Sequence, residues 1–317
     1  MVRFLARRLV FCAVLVVIAA SGALLLTRLA PGDLTTNLGP LATARQIADA
    51  RARFSLDRSI AAQLGDWAAS AVRFDFGESF LYQRPVAPLV LQAAGNTAVL
   101  AIVALALATI AGIGLGIVTG SRRGVLAGLI RTGSMAAVSL PSLLTSLALL
   151  FVAARTGWFP VGGMSSIDAA LSGQRWADIA SHLPLPAIAL ALPVAAAFER
   201  LQSAALAEQI HQPFVLAAAA RGVPARRLVL RHAWPASVKA VTAVYGLAVG
   251  SLLSGSFAVE FVTAWPGLGR LTYEALRARD IYLVAGCAAV GAAVLSLGML
   301  LGDVLLALSD PRVRDAR

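Results

Sequence analysis

The sequence predicts an all-α membrane protein of six transmembrane helices with a small helical external subdomain after the first span, and three observations carry that prediction. Of its 317 residues, 59% are hydrophobic and only 14% charged, whereas a soluble domain carries about 25% charged residues. The charges are also clumped, which leaves uncharged stretches at residues 9–27, 85–121, 132–154, 179–198, 240–259 and 281–302. Each reaches or approaches the roughly 20 residues that, at about 1.5 Å per residue, cross a hydrocarbon core about 30 Å thick. Finally, the net charge of +11 is unevenly distributed. Six spans starting inside place Arg3, Arg7 and Arg8, then Arg122, Arg123 and Arg131, then Arg221, Arg226, Arg227, Arg231 and Lys239, then Arg312, Arg314 and Arg317 in the cytoplasm. The external segment balances Arg45, Arg51, Arg53, Arg58, Arg73 and Arg84 with Asp33, Asp49, Asp57, Asp66, Asp75 and Glu78. This is the positive-inside pattern, with both termini cytoplasmic in a multi-pass protein.

Residues 1–29 are the cytoplasmic N-terminus and first span. The apolar run is longer than a signal peptide's core and lacks a small-x-small cleavage site, so it is expected to be retained. Residues 30–92 form the external segment, where Thr43 can cap one helix running to Phe54 and Asp57 a second, with Ile60, Leu64, Trp67, Ala68 and Ala71 on one stripe. Residues 93–309 make a five-helix membrane core. Its first helix carries Gly112, Gly116 and Gly120 one turn apart, and the span at 240–259 carries Gly246 and Gly250, spacings that let helix backbones approach closely within one subunit or between two. Pro184, Pro186 and Pro193 should bend or shorten the fourth span unless neighbouring helices satisfy the freed carbonyls. Residues 310–317 are a cytoplasmic tail.

Several activities are excluded as expectations. The basic residues are split among four membrane-flanking segments, which argues against nucleic acid and for contact with membrane lipid. A phosphate-cradling loop needs Gly-Lys-Ser/Thr, yet the one lysine, Lys239, follows Val238. His182, His211 and His232 lie in loops or at helix ends, out of reach of Ser251 or Ser256 as a catalytic base and too scattered for a metal site. Cys12 and Cys287 fall inside spans and read as small apolar core residues. The chain is therefore expected to be no enzyme and to hold no cofactor.

The most informative stretch is the cytoplasmic loop at residues 208–235. Pro213 suits a first helical turn, the run from Phe214 to Arg221 favours helix, and Gly222 is placed to end it in a left-handed conformation. A short stiff helix with small side chains, Ala217 and Ala218 among them, suits a protein groove; the alternative is a surface helix on anionic lipid.

This segment resembles the EAA loop of the permease subunits of bacterial ATP-binding-cassette importers, in which Glu-Ala-Ala is followed by Gly at a fixed interval and later by Leu-Pro. Ala217-Ala218 precede Gly222 by that interval, and His232-Ala233-Trp234-Pro235 follow. Leu216 stands where the pattern has Glu, His232 replaces an apolar residue and Trp234 replaces Leu. The run Glu260-Phe261-Val262-Thr263-Ala264-Trp265-Pro266-Gly267-Leu268-Gly269 resembles the external signature of the dipeptide, oligopeptide and nickel importer permeases, B-type branch. Leu29-Ala30-Pro31-Gly32-Asp33, Leu56-Asp57-Arg58, Asp75-Phe76-Gly77-Glu78-Ser79 and Asp310-Pro311-Arg312 follow that branch's order.

The resemblance implies a type I importer permease in a bacterial inner membrane. It would move a peptide, peptide-like solute or nickel chelate delivered by an external binding protein, beside a homologous second permease and two ATPase subunits that hold ATP and Mg. Residues 210–226 would be the coupling helix, with Phe214, Leu216, Ala217, Ala218, Arg221, Gly222, Arg226 and Pro235 engaged with the ATPase. Glu260, Trp265, Pro266, Gly267, Leu268 and Gly269 would form a fixed turn near the external face, with Pro266 stiff and Gly267 and Gly269 making the bend; the alternative is a plain structural turn with Trp265 anchored at the membrane interface. The rival is a self-contained secondary transporter or channel, which would place ionisable groups at the midplane; Arg28, Glu199, Arg200, Glu260 and Asp303 are expected near helix ends.

Overall fold

The structure is a computed structural model that describes residues 2–30, 43–45, 48, 52, 58–166 and 175–309. Regular structure among these residues is helical. The long helices are α1 (Val2–Leu29), α3 (Val86–Ser121), α7 (Pro184–Ile210), α12 (Tyr245–Val262) and α14 (Ile281–Ser309). All five are long and apolar enough to cross a membrane. Between them lie α2 (Ile60–Ala71), α4 (Val125–Ser139), α5 (Ser142–Thr156), α6 (Arg175–His182) and α8 (Pro213–Ala220). The turns α9 (Ala225–Arg227), α10 (Trp234–Ser237) and α11 (Lys239–Ala243) flank a π-helical stretch, Leu228–Ala233, and α13 (Leu268–Ala278) precedes α14.

Three spans differ from the sequence expectation. The third, expected as one helix, is α4 and α5 bent by 109° at Leu140-Pro141. Leu140 is extended, φ −85° and ψ 120°, because the ring of a following proline disfavours helical backbone before it. The fourth is neither interrupted nor shortened. Pro184 and Pro186 sit in its first turn, where a missing N–H costs nothing, and the helix continues through Pro193 for 27 residues. The fifth begins only at Tyr245, because Val244 at φ −104° and ψ 6° separates it from α11.

The chain forms two compact units, one of residues 98–265 with the stretch from 297, the other of residues 2–97 and 266–296. In the first, α7 is the central element. Leu190, Ala195 and Phe198 pack with Leu100 and Ala104 of α3 and with Leu252 of α12 in one core, and Phe198 stacks on Tyr245 at 5.4 Å. The second unit gathers Leu24 of α1, Trp67 of α2, Phe76, Val86 and Leu283. Val10, Val17, Ile18 and Leu26 of α1 stay exposed, an apolar surface that lipid would cover.

The external helix α2 starts at Ile60 with Ser59 as its cap, the Ser59 hydroxyl accepting from the Ala62 N–H; Asp57, expected to cap it, lies outside the described residues. Trp67 is buried from the expected stripe, with Gln63 buried beside it and Ala68 exposed. Of the helix expected between Thr43 and Phe54, Ala44, Arg45, Ala48 and Ala52 are described and helical; the rest of it, the stretch from Pro31 to Asp33 and the tail at 310–317 lie outside the described residues. Both cysteines are free thiols, Cys287 buried and Cys12 half-buried.

One buried acid organises the second unit and escaped the sequence reading. Asp280 accepts from the Ser79 hydroxyl at 2.6 Å and the Leu81 N–H at 3.0 Å, and caps α14 by accepting from the Leu283 N–H at 3.1 Å. Nearby, the Tyr82 hydroxyl donates to Glu274; burial first, then that bond and the Glu274 charge, push its pKa up to about 12. Asp280→Ala leaves a buried hydroxyl and two backbone donors without their acceptor, and is expected to destabilise the protein by about 2–4 kcal/mol. Thermal unfolding of the detergent-extracted protein checks this, with Asp280→Asn, which keeps one acceptor oxygen, losing less.

Candidate functional site

The segment between α7 and α12 builds the first candidate site. Helix α7 ends at His211, Gln212 turns out at ψ 146°, and Pro213 opens α8. The expected coupling helix over 210–226 is therefore shorter, eight residues from Pro213 to Ala220. Gly222 ends it at φ +79°, with the Gly222 N–H donating to the Ala219 carbonyl at 2.9 Å and the Val223 N–H to Ala218 at 3.3 Å. This paired closure is the one the sequence predicts from a glycine at that position.

Which face of α8 is free could not be read from its alanines. Val215 is buried with Leu206 of α7 and Ala233 of the π-helical stretch, and Ala218 is buried as well. Ala218, expected to face a partner's groove, is fully buried in its own chain, a correction that follows from the tight approach of α8 to α7. The exposed face carries Phe214, Leu216, Ala217 and Arg221. Leu216, where the EAA pattern has Glu, is 54% exposed. Beyond α8, Arg226, Arg227 and Arg231 line a cleft of about 590 Å³ with Pro224, Leu230 and Pro235. Pro235 lies in the first turn of α10. A π-helical stretch lacks a simple sequence signature, and its presence here was not foreseen.

The second candidate is the turn after α12. Its left-handed residue is Ala264, at φ +53°, whereas Gly267 is extended at φ −99° and caps α13. The expectation that the glycines make the bend is thus corrected. Trp265 is not an interfacial anchor: its side chain is wholly buried in the first unit's core, its backbone N–H donates to the Glu260 carbonyl at 2.9 Å, and Glu260 is buried too. In the second unit, the Pro266 carbonyl accepts from the Asn96 amide at 2.8 Å, and the Thr97 hydroxyl accepts from the Leu268 N–H at 2.8 Å. Gly269 lies inside α13.

The packing glycines serve contacts inside this chain. A Cβ at Gly112 would lie 2.6 Å from the Ala195 carbonyl, one at Gly116 2.6 Å from Gln202 Cβ, and one at Gly120 2.8 Å from the Ser203 carbonyl. These three glycines form the track on which α7 lies. Gly246 abuts α14, since a Cβ at Gly302 would come within 2.6 Å of the Gly246 Cα; Gly250 is half-buried on the same helix. Two acids expected near helix ends lie well inside helices instead, Glu199 in α7 and Asp303 in α14.

Comparison with known proteins places this architecture. Residues 112–315 match the model of the family described as binding-protein-dependent transport system inner membrane component. The chain is 32% identical over 326 residues, 99% of either protein, to the oligopeptide transport system permease protein OppB of Mycobacterium tuberculosis. It is 29% identical to a probable peptide ABC transporter permease protein of Sinorhizobium fredii, covering 98% of this chain and 99% of that one. A putative peptide transport system permease protein of Brucella abortus is 32% identical over 303 residues, 92% of each. With apolar helices packed on a glycine track and a match that runs through both candidate sites, the chain belongs to the family of multi-pass inner membrane components of binding-protein-dependent transport systems.

Proposed function

We propose that this chain is the permease subunit of an ATP-driven importer for peptides or peptide-like solutes, nickel chelates included, delivered by an external binding protein. The observation that carries the reading is coverage: relatives named as peptide permeases align over nearly the whole chain, both candidate sites included. Its partners are a homologous second permease and two cytoplasmic ATPase subunits, which hold the ATP and Mg. Both termini face the cytoplasm, in keeping with the arginine-rich flanks.

Coupling runs through α8. Its exposed Phe214, Leu216 and Ala217 dock on the ATPase, with Arg221 and Arg226 at the rim, while Val215 fastens it to Leu206 of α7. A closely packed contact transmits displacement rather than absorbing it, so a movement of α8 carries α7, the helix at the centre of its unit. Gly222 and Pro235 set the direction in which the chain leaves. The turn from Glu260 to Gly269 stiffens the opposite, external end near where the binding protein would sit.

Two results are expected. The purified chain alone hydrolyses no ATP, and hydrolysis with solute uptake appears once the second permease, the ATPases and the binding protein are added; hydrolysis by this polypeptide alone, contaminants excluded, would overturn the reading. A cysteine introduced at Gln83 reacts with impermeant maleimide from outside intact cells and one at Ala225 does not, the reverse pattern inverting the topology.

A further inference from the structure

Glu199 has no part in the docking scheme. It lies inside α7, is 1% exposed, and one carboxyl oxygen accepts from the Thr119 hydroxyl. The other, Oε2, is buried without a hydrogen-bond partner, a state that native proteins seldom leave unexplained. Glu199 lines a cleft of about 650 Å³ between α4 and α7, together with Arg131 and Arg200, and the walls between these charges are apolar, from Met135, Val138 and Leu201. Arg131 donates to the carbonyl of the same Thr119 that serves Glu199. One residue of α3 thus steadies an acid with its hydroxyl and a guanidinium with its carbonyl. The volume falls in the range of small-molecule sites, which join apolar walls to a few fixed polar groups.

We propose that this cleft is a solute subsite for the two ends of a free short peptide: Glu199 Oε2 accepts from a primary ammonium, and Arg131 with Arg200 takes the carboxylate. The proposal rests on the peptide-import reading above and deepens it. A ligand with an ammonium alone makes no use of Arg131 and Arg200, both exposed at the cleft, and one with a carboxylate alone leaves the buried Oε2 without a donor. A neutral ligand answers neither. Charge-assisted bonds to both ends are strong in an apolar surround, and a carboxyl held inside a transmembrane helix is a position of functional weight.

The test uses the whole complex with its partner permease and ATPases, without binding protein, in nanodiscs of phosphatidylcholine and phosphatidylglycerol, so that no lipid offers a primary ammonium. Equilibrium binding of radiolabelled trialanine is compared with N-acetyl-trialanine and trialanine amide. Each modification is expected to weaken binding to the unaltered complex by about tenfold, the loss of one charge-assisted contact. Glu199→Gln keeps the acceptor for Thr119, and should bind the free and acetylated peptides alike while still discriminating against the amide; Arg131→Gln should narrow the amide discrimination. Equal binding of all three peptides by the unaltered complex overturns the subsite, as does full discrimination of the acetylated peptide by Glu199→Gln. The peptide arm requires no variant, so a misfolded mutant does not decide the matter. Added phosphatidylethanolamine that occupies the cleft while trialanine does not would assign the ammonium to lipid and refute the peptide. If trialanine is taken up with its binding protein present yet the complex alone binds none, the subsite fails and the import reading stands. If no peptide is taken up at all, the peptide-import reading itself fails.

Discussion

Gly112→Val is expected to abolish accumulation of folded protein, whereas Gly114→Val, two residues along the same helix, is expected to leave it near normal. At Gly112 the first added carbon lies 2.6 Å from the Ala195 carbonyl oxygen and 2.6 Å from Phe198 Cβ. Neither neighbour is the free end of a flexible side chain, so α3 and α7 must part. Overpacking of this kind costs about 1–3 kcal/mol or more, and parting the two helices also loosens the contacts at Gly116 and Gly120. In lipid these close contacts are themselves a main source of helix association, because burying apolar surface away from water contributes little there. At Gly114 nothing lies within 4 Å of the added carbon. Yield of monodisperse protein after detergent extraction, with its thermal midpoint, separates the two variants; a Gly112→Val protein that extracts and melts like the unaltered chain would show that the track carries no load.

Ala217→Arg is expected to leave a folded, inserted protein that assembles poorly with its ATPases or lets them hydrolyse ATP without moving solute, with uptake falling by at least an order of magnitude. Ala217 is on the exposed face of α8, so the arginine meets only what docks there. Ala218→Arg would not serve, since Ala218 is fully buried and its replacement damages the fold whatever α8 touches. Gly222→Val probes the same joint differently. Its added carbon meets nothing within 4 Å, so the cost is conformational, about 1 kcal/mol or more for a branched side chain at φ +79°. That is small beside the stability of the protein and large for the direction in which the chain leaves α8. Uptake and ATPase activity are measured together in the reconstituted complex. Unchanged coupling in Ala217→Arg would remove the docking role and favour a helix resting on anionic lipid, where arginine is welcome.

The spans were legible because charge is excluded from hydrocarbon: a run of uncharged residues is a direct record of where the chain crosses. The end of α8 was legible too, because a left-handed residue after a helical run selects glycine locally. The break at Pro141 was written in the sequence and missed, the surrounding apolar composition outweighing a single proline. At Pro193 the sequence left two outcomes open, and the continuous α7 is the one in which neighbouring helices re-satisfy the freed carbonyls. For Trp265, residue type alone left an anchor at the membrane interface open as an alternative, and the fold buries it instead.

By itself, then, the sequence determined the helical class, the positions of the apolar spans and the motif order that matches the family, since each follows from composition or from spacing along one stretch of chain. The tertiary structure decided which face of α8 is free, that the glycine track meets α7 of the same chain, that Asp280 holds Ser79 across 201 positions, and that Glu199 and Arg131 converge on one threonine. These depend on which distant residues come together. An alanine or a glutamate carries no local mark of the neighbour it will have, so the sequence can set the helices but their packing assigns the roles of their faces.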